Sequence, residues 1–78
     1  MKDMKTIYSI TVGNNIKKYR EMNLMTQTEL AAKLNIPQPT LNRYEKGERQ
    51  ADYEGICKIC NTLNITASEL FATLISEK

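Results

Sequence analysis

Apolar residues along the chain recur three and four positions apart, and no stretch alternates as a strand would. One stripe is Val12, Ile16 and Tyr19. Leu30, Ala31 and Leu34 follow, then Leu41 and Tyr44. A fourth stripe is Tyr53, Ile56, Cys57, Cys60 and Leu63, and a fifth is Leu70, Phe71, Leu74 and Ile75. The pattern predicts an all-α chain of five helices, over about residues 9–22, 27–34, 38–46, 52–63 and 67–75. Residues 1–8 are polar and basic, and are expected to form a loose arm.

Residues at the stripe ends support these boundaries. Ser9 or Thr11 is the candidate cap of the first helix. Thr26 with Glu29, and Thr66 with Glu69, have the spacing of capping boxes. Met25 with Leu30, and Ile65 with Leu70, have the spacing of hydrophobic staples. Asp52 is suited to cap the fourth helix. Asn23, Asn35, Gly47 and Asn64 are stops, being residue types that end helices readily. Pro37 and Pro39 bracket Gln38. Proline disfavours helical geometry in the residue before it and itself fits the first helical position. The third helix is therefore expected to begin at Pro39, with Gln38 at its boundary.

That third helix has two unlike sides. Leu41 and Tyr44 can turn inward, while Gln38, Thr40, Asn42 and Arg43 supply hydrogen-bonding groups. Amides can pair with an adenine edge at two points, and arginine with a guanine edge. Pro39 adds an apolar ring that suits a thymine methyl. Such a helix fits a major groove; the plainer alternative is a solvated surface.

Residues 26–47, TQTELAAKLNIPQPTLNRYEKG, resemble the helix-turn-helix of the phage repressor and Cro (XRE) family of DNA-binding domains. The preceding VGNNIKKYREMNLMTQTELA resembles the family's first helix leading into its second, and ADYEGICKICNTLNITASEL resembles its fourth and fifth. The resemblance covers about residues 10–72. It implies a compact five-helix domain of the lambda-repressor type, with the motif formed by helices two and three. It implies base contacts from Gln38, Pro39 and Arg43, to which side-chain chemistry adds Thr40 and Asn42. It implies phosphate contact from Gln27 at a helix start. Lys46 and Arg49 add positive charge there, and Lys17 and Lys18 are further candidates. It also implies an ion pair between Arg20 and Glu45. The chain departs from the family pattern at Leu24 and Asn64, where glycine is usual, and at Pro37, where serine or threonine usually caps.

The implied function is that of a sequence-specific regulator of transcription on double-stranded DNA, most often a repressor. Members usually bind palindromic operators as twofold dimers, so a homodimer is expected. Phe71, Leu74 and Ile75 are candidates for its interface; the alternative for Phe71 is closing the core. A different class stays open: an antitoxin-like module whose main partner is another protein, since one fold serves both.

Composition narrows the field. Seventy-eight residues allow one small domain. The net charge of +2 permits nucleic-acid binding without demonstrating it. No apolar run has membrane-spanning length, and Met1 to Thr11 lacks the apolar core of a signal peptide, so a cytoplasmic protein is expected. Cys57 and Cys60 form CKIC inside a helical pattern. A zinc site needs about four ligands, and the chain has no histidine and no other cysteine. Both thiols are therefore expected to be small core groups. No cofactor, metal or catalytic pair is nominated, and an enzyme is not expected.

Overall fold

The computed structural model describes residues 6–72. It contains α1 (Ile7–Met22), α2 (Gln27–Leu34), α3 (Gln38–Lys46), α4 (Tyr53–Leu63) and α5 (Ala67–Leu70), with no strand among the described residues. None of these helices is long and apolar enough to cross a membrane.

Local hydrogen bonds account for most helix ends. Thr26 and Thr66 form the expected capping boxes with Glu29 and Glu69, and Asp52 accepts from the Gly55 amide at 2.8 Å. The first helix begins earlier than the sequence suggested. Its cap is Thr6, neither Ser9 nor Thr11, and Ile7 and Tyr8 belong to the helix and not to an arm. Thr6 Oγ1 accepts from the Ser9 amide while Ser9 Oγ accepts from the Thr6 amide, both at 3.0 Å. Serine in the place usually held by glutamate hides this capping box in the sequence. Residues 1–5 of the expected arm lie outside the described residues.

The ends of α1 to α4 share one design. In each, an amide just past the helix (two residues past α2, α3 and α4, three past α1) bonds back across the last turn: Met25 to Arg20 O, Ile36 to Ala31 O, Glu48 to Arg43 O and Ile65 to Cys60 O, at 3.0–3.1 Å. The residue just before that amide must take positive φ, and Leu24, Asn35, Gly47 and Asn64 do so, at 60°, 59°, 77° and 59°. Leu24 thus occupies the glycine-like position itself, with its side chain 90% exposed.

The third helix spans residues 38–46 as expected, but it does not begin at Pro39. Gln38 is its first residue and Pro39 its second, while Pro37 precedes it in extended geometry. The first N–H groups of a helix have no intrahelical partner, so proline is tolerated at the second position as at the first. The fifth helix was expected to reach residue 75; it is described only as Ala67–Leu70, and Leu74 and Ile75 lie outside the described residues.

The core is built from Ile16 of α1, Leu30, Ala31 and Leu34 of α2, Leu41 of α3, Ile59 and Leu63 of α4, and Leu70 of α5. Met25, Ile36, Tyr44 and Ile65 pack against it. Two sequence expectations fail on α4. Tyr53 is 81% exposed instead of buried, and Cys57 is exposed; only Cys60 is partly covered. The buried side of α4 is set by Ile59 and Leu63, with Ile56 and Cys60 packed at its margin, which leaves Tyr53 and Cys57 turned outward.

The most extensive contact in the molecule joins α1 to α3. It depends on a residue that the apolar pattern passes over. A β-carbon on Gly13 would lie 2.3 Å from the Tyr44 carbonyl oxygen and 2.7 Å from that of Glu45. The two backbones therefore touch at this point. Ser9 Oγ donates to the Gly47 carbonyl at 2.9 Å and closes one end of the contact. Arg20 closes the other through Glu45: Nε donates to Oε2 at 2.7 Å and Nη2 to Oε1 at 3.1 Å. The ion pair implied by the family resemblance is thus present and largely buried. The hydrogen bond to Glu45 holds the Arg20 guanidinium above its ordinary pKa. Asn15, also buried, donates to the Leu70 carbonyl at 2.7 Å and ties α1 to α5.

Two stability changes are expected. Gly13→Ala should destabilise by about 3 kcal/mol, because the added methyl meets backbone that cannot rotate away. An ordinary helix position would show the opposite sign, since alanine favours helix by about 1 kcal/mol over glycine. Glu45→Ala should cost on the order of 3 kcal/mol by leaving a covered guanidinium without its anion. Denaturant titration of both variants against the parent measures these differences.

Candidate nucleic-acid interface

The candidate surface is shaped by which side of α3 is covered. Leu41 and Glu45, one turn apart, face inward and are buried. Gln38, Pro39 and Lys46 are exposed, and Thr40, Asn42 and Arg43 are half-buried. The helix has no side-chain cap, so its first amides are not satisfied by a preceding serine or threonine. The sequence-nominated polar residues therefore lie along a side that the fold leaves largely open.

The start of α2 stands beside this surface. Gln27, half-buried, is its first residue and the one that the family resemblance directs to phosphate. Its side chain is engaged within the protein. Gln27 Nε2 donates to Glu45 Oε1 at 2.9 Å. Gln27 Oε1 accepts from Gln38 Nε2 through a short hydrogen bond and from Asn42 Nδ2 at 3.4 Å. A continuous chain of polar contacts thus runs from Arg20 through Glu45 and Gln27 to two of the nominated reading residues. Nothing in the sequence spacing pairs Gln27 with Gln38 or Asn42; only the crossing of α2 and α3 brings them together.

The other nominated residues are more dispersed. Lys46 and Arg49 are exposed at and after the end of α3, and Lys17 and Lys18 are exposed on α1. Phe71, expected at an interface, stacks on Tyr8 of the same chain with ring centroids 5.4 Å apart. It belongs to a shallow groove that also includes Tyr53, Ile56, Cys57 and Cys60. Burial raises the Cys60 thiol above its ordinary pKa, and neighbouring Cys57 and Glu69 add to the effect. No group of three or more His, Cys, Asp or Glu among the described residues is placed to hold a metal ion.

Comparison with known proteins places this geometry in a family. Residues 16–70 match the helix-turn-helix family HTH_3. The chain is 36% identical over 66 residues to the uncharacterised HTH-type transcriptional regulator YqaE of Bacillus subtilis, covering 85% of this chain and 57% of that protein. It therefore spans little more than half of that relative. It is 33% identical over 78 residues to the control protein C.MunI of a Mycoplasma species, covering 99% of this chain and 100% of that protein. The crystal structure of the restriction-modification controller protein C.Esp1396I superposes with a TM-score of 0.78 at 27% identity, covering 91% of this chain and 92% of that one. With its two-helix motif intact and the match running from α1 into α5, the chain belongs to the XRE-type helix-turn-helix family.

Proposed function

We propose that the chain is a sequence-specific transcriptional regulator that binds a palindromic double-stranded DNA operator as a homodimer and acts as a repressor. The observation that carries this reading is the open polar side of α3, held in register by Gly13, Glu45 and Gln27. Base reading falls to Gln38, Pro39, Thr40, Asn42 and Arg43, whose donors and acceptors suit a major groove. Phosphate positioning falls to Lys46 and Arg49, with the backbone amides at the start of α2. The Gln27 side chain acts from within, as a support for the readers. A regulator of this kind works where the DNA is, so a cytoplasmic location goes with the proposal.

The second copy has a candidate seat. Tyr53, Ile56, Cys57 and Cys60 recur at helical spacing on the outer side of α4, beside Tyr8 and Phe71. Among the described residues Asp52 is the one charged residue lining this groove, so two copies can meet there without crowding like charges. Leu74 and Ile75 follow Phe71 in the chain and extend the same apolar run.

Selection from a random duplex library should enrich a twofold-symmetric site. Arg43→Ala should relax the preference at one position in each half-site by roughly tenfold. Lys46→Gln should weaken binding to all sequences alike and flatten the dependence of affinity on salt by about one phosphate's worth. Analytical ultracentrifugation should find Tyr53→Glu monomeric at concentrations where the parent is a dimer. A parent that enriches no sequence, or an Arg43→Ala profile identical to the parent's, would remove the reading.

A further inference from the structure

We propose that Glu45, which touches no base itself, sets the base preference of Gln38 by fixing which way the intervening Gln27 amide points. The inference rests on the DNA-binding reading above and deepens it.

The argument follows the donors and acceptors in order. A carboxylate accepts hydrogen bonds and cannot donate them. Arg20 occupies both oxygens of Glu45, at 2.7 and 3.1 Å, and Gln27 approaches Oε1 at 2.9 Å. The Gln27 atom facing Glu45 must then be the nitrogen, on chemical grounds that do not depend on how an amide is assigned. Its oxygen is thereby forced to the other side, where it can only accept. Gln38 and Asn42 both meet it there with their amide nitrogens. Gln38 has therefore committed one N–H inward. It keeps its oxygen and its second N–H for an external partner, an acceptor beside a donor. That pair complements the N6 donor and N7 acceptor of adenine in the major groove.

Reversing the Gln27 amide reverses the outcome. Its nitrogen would then face Gln38, which would turn its own oxygen inward and present two N–H groups outward. Two donors complement guanine, whose O6 and N7 both accept. The charge on a buried residue thus selects between two base edges through one rotatable amide. Glu45 is a positioning residue in this account, and its structural partnership with Arg20 is what makes its orientation dependable.

Glu45→Gln tests this. The shorter Arg20 contact, from Nε at 2.7 Å, retains an oxygen at the Oε2 position while the longer one from Nη2 at 3.1 Å is given up, so the new NH2 group faces Gln27 and the relay turns over. Base preference is read by selection from a random duplex library, with Gln38→Ala run in parallel to identify the base that Gln38 reads. The parent is expected to prefer adenine there. Glu45→Gln is expected to shift the preference to guanine by roughly tenfold. Gln27→Ala, which leaves the ion pair in place, is expected to lower the adenine preference roughly tenfold without gaining guanine. Thermal melting identifies which variants are folded. If Glu45→Gln is folded and still selects adenine, the relay is wrong. If it does not fold, Gln27→Ala decides, and an unchanged adenine preference overturns the proposal. A parent that enriches no site overturns the DNA reading and the relay together. A parent that enriches a site whose Gln38 position is not adenine overturns the relay alone.

Discussion

Glu45 is the point at which three helices become one rigid body. It lies on α3, receives both arms of Arg20 from α1, and receives Gln27 from α2. Arg20 also donates to the Met25 carbonyl at 3.0 Å, so the turn between α1 and α2 is held by the same guanidinium. A buried pair of this kind adds little net stability over an apolar substitute, because desolvation offsets most of the attraction. Its contribution is directional. Apolar packing alone would let α3 roll about Leu41, whereas hydrogen bonds to both carboxylate oxygens do not.

The close approach at Gly13 makes this geometry possible. With a larger residue there, α1 would stand farther from the Tyr44 and Glu45 carbonyls, and the Arg20 fork would no longer reach. Polar groups are buried on α1 for the same reason. Ser9 and Asn15 lie where α1 meets other backbone, and each donates to a carbonyl there. The side of α1 that matters most for the fold is thus small and polar as well as apolar.

This explains what the sequence conveys and what it conceals. Leu30, Leu34, Leu41 and Leu70 are legible from periodicity because burial of large apolar groups follows helical spacing. Most caps and stops are legible because a single residue type suffices for each. Gly13 is not, since its role depends on a helix distant in sequence. Tyr53 and Cys57 mislead, because α4 has apolar residues on two sides and periodicity does not say which is covered. The polar side of α3 can be nominated from residue types. Its support by Gln27 cannot, because that contact exists only where α2 and α3 cross.

The way α1 clamps α3 has one further consequence. The helix is pinned near its end by Ser9 through Gly47, along its length by backbone contact at Gly13, and on its inner side by Arg20. There is little internal slack by which a small molecule could tilt it in or out of alignment. A load applied to the outer side of α3 is therefore passed directly to α1, and the two helices can shift only as a unit.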